Sequence, residues 1–115
     1  MAMTELQLKQ VEFSYMLSRL VSWAHGAGFP VSIGEVHREL TEAQKNAHAG
    51  TGILHTLHTI DLAADLKLYI NGVYQTATES YVGLGVYWEE MGGTWGGRFA
   101  QPDGNHFSLS HHGVK

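Results

Sequence analysis

The chain opens with a helical rhythm. Leu6, Phe13, Leu17, Leu20 and Ala24 recur at three- and four-residue spacing, with Met16 and Val21 beside them, until Gly26 interrupts the pattern. Thr4-Glu-Leu-Gln7 precedes this run and has the form of a capping box, so a first helix is expected from there to Gly26. VSIGEVHR, after GAGFP, alternates β-branched residues and reads as a strand, although Ser32-x-x-Glu35 is also compatible with a helix start. Thr41-Glu-Ala-Gln44 predicts a short helix closed by Gly50 and Gly52.

From Leu62 to Ile70 the period changes to two. Leu62, Ala64, Leu66, Leu68 and Ile70 share one face, and Ala63, Asp65, Lys67 and Tyr69 the other. Asn71-Gly72 follows before VYQ, a strong hairpin signal because both residues tolerate the positive φ of a type I′ turn. Thr76 or Thr78 is then expected to cap a helix carrying Tyr81, Leu84, Val86, Tyr87, Trp88 and Met91, ended by Gly92-Gly93. The tail predicts a strand, a Pro-Asp-Gly-Asn turn and a last strand with Phe107 and Leu109 inward and His106 and Ser108 on the opposite face. Hairpins outnumber βα alternations, so the expected class is α+β: a single small domain, residues 1–115, with a mainly antiparallel sheet flanked by about three helices.

Composition narrows the chemistry. A chain of 115 residues with 43% apolar and 16% charged residues has the make-up of one globular domain. Its net charge of −4 has the wrong sign for phosphate contacts, which argues against nucleic acid as a partner. No stretch has the length and apolarity of a membrane span or a signal peptide, so a cytoplasmic start and no membrane span are expected, and the domain is expected to act as a monomer. The absence of Cys removes thiolate chemistry and sulfur-ligated zinc, so a metal would need His and carboxylate ligands. Eight His is the oddity, although His111 and His112 are compatible with a solvated tail.

LHTLHTIDLAADL, residues 54–66, sets metal-capable side chains among core-forming ones. His58 and Asp65 lie seven residues apart, about 23 Å along a strand or about 10 Å along a helix, so only a chain that turns between them lets both hold one ion. Asp103-Gly-Asn-His106 is a further polar cluster. A catalytic zinc needs three N or O ligands, an open position and a nearby base, and His58, Asp65 and His106 with Asp103 would meet that need. Spacing alone admits rivals: His55 with His58 is another pair, Asp61 another carboxylate, and Asp103 is equally a turn residue. Trp95 before Gly96-Gly97 could wall a substrate groove or be a core Trp beside a bulge.

His58, Ala63 and Asp65, then WGGRF, Asp103-x-x-His106 and Phe107, resemble the zinc-dependent peptidoglycan peptidases that include VanX- and VanY-type D-Ala-D-Ala peptidases and phage L-alanoyl-D-glutamate endopeptidases. The likeness runs from about Glu35 to Leu109, and the LAADL and YWEEMGGTWGGRF phrases are most similar to small phage endolysins. The resemblance implies a hedgehog/DD-peptidase-like fold, zinc held by His58, Asp65 and His106, and Asp103 as general base. It also implies Arg38, in GEVHRELTEAQ, as the group that stabilises the developing oxyanion. Two departures stand out, Asp61 where the family has Gly and Thr56 where it has Ser.

The expected function is therefore a zinc metallopeptidase that hydrolyses peptidoglycan stem peptides, as a phage endolysin of the L-alanoyl-D-glutamate endopeptidase type. Such an enzyme would be held in the cytoplasm until it is released to the wall at host lysis. A D-Ala-D-Ala carboxypeptidase and a non-catalytic zinc-stabilised binding module are the alternatives, since a shared fold does not by itself establish catalysis.

Overall fold

The computed structural model describes residues 2–37 and 57–115. Helix α1, Glu5–Gly26, starts where the sequence places it: the Thr4 hydroxyl accepts from the Gln7 backbone N–H and the Gln7 side chain accepts from that of Thr4. Phe13, Met16, Leu20 and Ala24 form its buried stripe. The helix stops where Gly28 turns left-handed at φ +88°, and Phe29 N–H closes the end by donating to Ala24 O at 2.7 Å.

Among the described residues five strands follow: β1 Val31–Ile33, β2 Ala63–Ile70, β3 Val73–Tyr74, β4 Thr94–Trp95 and β5 His106–Ser108. All pair antiparallel in the order β1-β2-β5-β4, with β3 returning on β2. The β2–β3 turn has Asn71 at φ +51° and Gly72 at φ +79°, the two left-handed residues that a type I′ hairpin requires.

Alternation on β2 sends Ala64, Leu66 and Leu68 into the core. The register sets Ala64 opposite Phe107 and Phe107 opposite Trp95, so an apolar row crosses three strands beneath the helices. Trp88 covers that row, with edge-on contacts to Phe13 of α1 and Phe107 of β5, and its indole N–H donates to Ser108 O at 2.8 Å. Trp88 belongs to α2, Val82–Glu90, which is also held to α1 by the Trp23–Tyr87 stack at 4.6 Å.

The architecture is α+β, with an antiparallel sheet and two α-helices among the described residues. The short helix expected from Thr41 lies outside them. One local expectation needs correction. Neither Thr76 nor Thr78 caps α2: a 3₁₀ turn, Thr78–Tyr81, leads into that helix without a side-chain cap. The sequence cue fails because Tyr81 anchors this approach, accepting from Leu68 N–H and donating to Gln75 O. β5 alternates as expected, and all three of its residues are buried, so the face that carries His106 and Ser108 is covered as well.

Candidate metal centre

The turn that His58 and Asp65 require is present. Leu57–Ile60 forms a 3₁₀ turn, Asp61 follows in the left-handed region at φ +58°, and Leu62 N–H returns to Leu57 O at 2.8 Å before β2 begins. A β-carbon disfavours this conformation, but Asp tolerates it better than most residues do, and the reversal replaces a long extended span with a fold-back. The departure from Gly at this position is thereby accommodated. The Asp61 carboxylate lies 2.7 Å from His37 Nδ1, away from the His58, Asp65 and His106 cluster.

Asp65 and His106 meet through strand register. They are directly opposed on β2 and β5, which puts both side chains on one face, the face opposite Leu66 and Phe107. Asp65 N–H donates to Glu35 O and its carbonyl accepts from Gly34, so the chain beyond β1 fixes the backbone at this position. The same segment fixes His58, whose Nδ1–H donates to Val36 O at 3.2 Å. A carbonyl only accepts, so Nδ1 carries a proton and Nε2 is the nitrogen turned toward the cluster. That nitrogen lies 3.4 Å from Asp65 Oδ1, and His106 Nδ1 lies 3.9 Å from the same oxygen.

One donor atom from each of the three residues lies within 4.8 Å of the others. Tetrahedral zinc with ligands at about 2.1 Å sets neighbouring ligand atoms about 3.4 Å apart, so small side-chain shifts bring this trio to that spacing. The chemistry of the set also fits a cation. When the His58 ring is neutral, its Nε2 lone pair and the Asp65 carboxylate oxygen are two acceptors face to face, an arrangement that a divalent ion between them makes favourable. His58 and His106 are 5% and 8% exposed, which gives these candidate ligands a rigid surround. The carboxylate hydrogen-bonding that often backs a metal-bound His is supplied for His58 by the Val36 carbonyl, a partner 22 residues away. Its only signal in sequence is the β1 segment itself.

Asp103 lies in the loop that enters β5, at an exposed position. Its N–H donates to Gly96 O at 2.9 Å, and its carbonyl accepts from His106 N–H at 3.1 Å, so the proposed base and the third ligand share one tight turn. Trp95 locks this turn by donating its indole N–H to Gly104 O at 2.7 Å. A β-carbon on Gly96 would collide with Asp103 O, which is why the chain has glycine where β4 passes the loop. Of the two readings of Trp95, groove wall and core residue, its burial agrees with the second: it is 2% exposed, and its ring fills the space left by Gly85 and Gly97. Arg38 and His55 lie outside the described residues. A second trio, Glu5, His111 and His112, gathers at the start of α1 but is largely exposed, as such groups commonly are without an ion.

A family model described as D-alanyl-D-alanine carboxypeptidase matches residues 49–109, a span that includes His58, Asp65, Asp103 and His106. Among solved structures, the L-Ala D-Glu endopeptidase ChiX of Serratia marcescens is similar at a TM-score of 0.56 and 27% identity, over 71% of this chain and 68% of that one. No curated protein matches the sequence.

Proposed function

The chain belongs to the D-alanyl-D-alanine carboxypeptidase family, and on that premise we propose that it is a zinc-dependent peptidase that hydrolyses the stem peptides of bacterial peptidoglycan. The observation that carries this reading is the convergence of His58, Asp65 and His106 in a buried, register-fixed cluster, with Asp103 in the turn that delivers His106. A zinc ion held by the three ligands would supply Lewis acidity, polarising the scissile carbonyl and easing the loss of a proton from water.

The protein's own groups do the rest. His58 is held in one tautomer by Val36 O, and Asp65 is fixed by its backbone bonds to Gly34 and Glu35, so neither needs to reorganise during turnover. Asp103 serves as general base: its carboxylate accepts the proton of the attacking water and passes it to the leaving amine. Arg38, directly after His37, is assigned to the carbonyl oxygen as it gains negative charge, a role worth roughly 10²–10³ in rate for a single donor.

Within this class the reading favours an endopeptidase that cuts between L-Ala and D-Glu, supported by the similarity to the Serratia endopeptidase and by the phage-endolysin phrases. A phage lysis enzyme, kept in the host cytoplasm until the membrane is opened, is the setting that suits it. The description of the matching family model supports a carboxypeptidase that releases terminal D-Ala as the second reading.

The test is to incubate zinc-loaded protein, and its Asp103→Asn variant, with purified Gram-negative peptidoglycan and to identify released fragments by mass spectrometry. New D-Glu amino ends made by the parent and not the variant are expected. Free D-Ala would establish the carboxypeptidase instead, and intact peptidoglycan in the presence of bound zinc would reject the peptidase reading.

A further inference from the structure

Both candidate substrates share a feature at the bond to be cut. The residue whose nitrogen departs is a terminal D-Ala in one case and a γ-linked D-Glu in the other, and each carries a free α-carboxylate one carbon from that nitrogen. An enzyme that gains specificity from this group needs a cation beside the metal ligands, on the same face.

Lys67 meets that description. It is two residues beyond Asp65 on β2, so its side chain leaves the same face about 6.6 Å along the strand. It does not run straight out: its Cε lies 3.6 Å from the position a β-carbon would take on Gly34, and Gly34 pairs with Asp65. The stem therefore leans back toward the ligand end of the sheet. The residue is exposed, and it has no carboxylate partner among the described residues. The other described cations are placed elsewhere: Arg98 is held by Glu89 in a two-bond pair, Lys9 donates to Ser110 O, Arg19 lies over Tyr15 on α1, and Lys115 ends the chain. Ser32, opposite Lys67 in the β1–β2 register, adds an exposed hydroxyl in the same row. Gly34 matters as well, because a side chain there would fill the space between the lysine stem and Asp65.

We infer that Lys67 forms a carboxylate-binding subsite beside the metal ligands and holds the α-carboxylate of the residue whose nitrogen leaves. The inference rests on the peptidase reading above and adds a specificity element to it. The ammonium is a mobile point charge, suited to a carboxylate on either D-Ala or D-Glu. Its effect belongs to substrate binding, so it is expected in KM more than in kcat.

The experiment compares two L-Ala-γ-D-Glu peptides that differ only in the α-group, free carboxylate or carboxamide, with zinc-loaded parent, Lys67→Gln and Lys67→Arg. The parent should favour the carboxylate peptide about tenfold or more in KM, as expected for one partly exposed charge-assisted hydrogen bond. Lys67→Gln should accept both peptides equally, and Lys67→Arg should restore the preference. An undiminished preference in Lys67→Gln, or an equal loss on both peptides, overturns the assignment and leaves the peptidase reading intact. Should the parent cut neither peptide, the endopeptidase reading fails, and calorimetric binding of the same pair to parent and Lys67→Gln still decides the subsite by the same comparison.

Discussion

Replacing Trp95 with Phe removes one buried indole N–H and part of a buried ring. The N–H donates to Gly104 O at 2.7 Å, at the centre of the turn that carries Asp103 and His106. Orphaning a buried carbonyl costs about 1–3 kcal/mol. The missing half of the indole leaves a void against Gly85 and Gly97, adding roughly 1–2 kcal/mol by analogy with other large-to-small core changes. The total is about 3 kcal/mol, which for a domain of this size lowers the melting temperature by about 12 °C. The measurement is thermal unfolding of parent and variant at equal zinc concentration, since bound metal stabilises both, followed by kinetics well below either transition. The variant should also lose kcat, because the turn that positions the base and third ligand loosens. An unchanged melting temperature with a raised KM alone would refute this reasoning and return Trp95 to a substrate-contact role.

Other positions give independent checks. Asp61→Ala should destabilise by about 1–2 kcal/mol in urea unfolding, because Ala is less tolerant of φ +58° and the exposed His37 pair is lost, whereas Asp61→Gly should stay within about 0.5 kcal/mol of the parent. Tyr81→Phe should cost about 1–3 kcal/mol by removing the hydroxyl that links Leu68 N–H to Gln75 O. Burial raises the Tyr81 pKa above its usual 10, so its contribution is complete below about pH 10 and is lost as pH rises through the higher folded value. Tyr81→Phe should lose less stability than the parent over that alkaline range, as followed by denaturant titration at several pH values.

Local chemistry was legible in the sequence where it acts locally. The Thr4 capping box, the stripe of α1 and the Asn71-Gly72 hairpin each depend on residues within a few positions of one another, and each appears as expected. Asp65 and His106 were legible as a pair of types, while the reason they meet, direct opposition across β2 and β5, is a register that neither strand encodes alone. The anchor of His58 on Val36 O and the clamp of Trp95 on Gly104 O are long-range contacts made by backbone carbonyls, which carry no residue-type signal. Glycine next to Trp95 suits both a groove and a close-packed ring, and only the packing of Gly85 against the same ring separates the two. Thr78 looked like a helix cap because its type and position suit one, but the packed Tyr81 sets the helix start instead.

The most direct test of the metal centre is zinc content and coordination measured together, by elemental analysis and X-ray absorption, on parent protein and on the His58→Ala and His106→Ala variants. The account predicts a tightly held zinc in the parent, with two imidazole nitrogens and a carboxylate oxygen at about 2.0–2.2 Å, and loss of that zinc in either variant while the fold persists by circular dichroism. Undiminished zinc with the same two-imidazole spectrum in both variants would place the ion elsewhere and contradict the account.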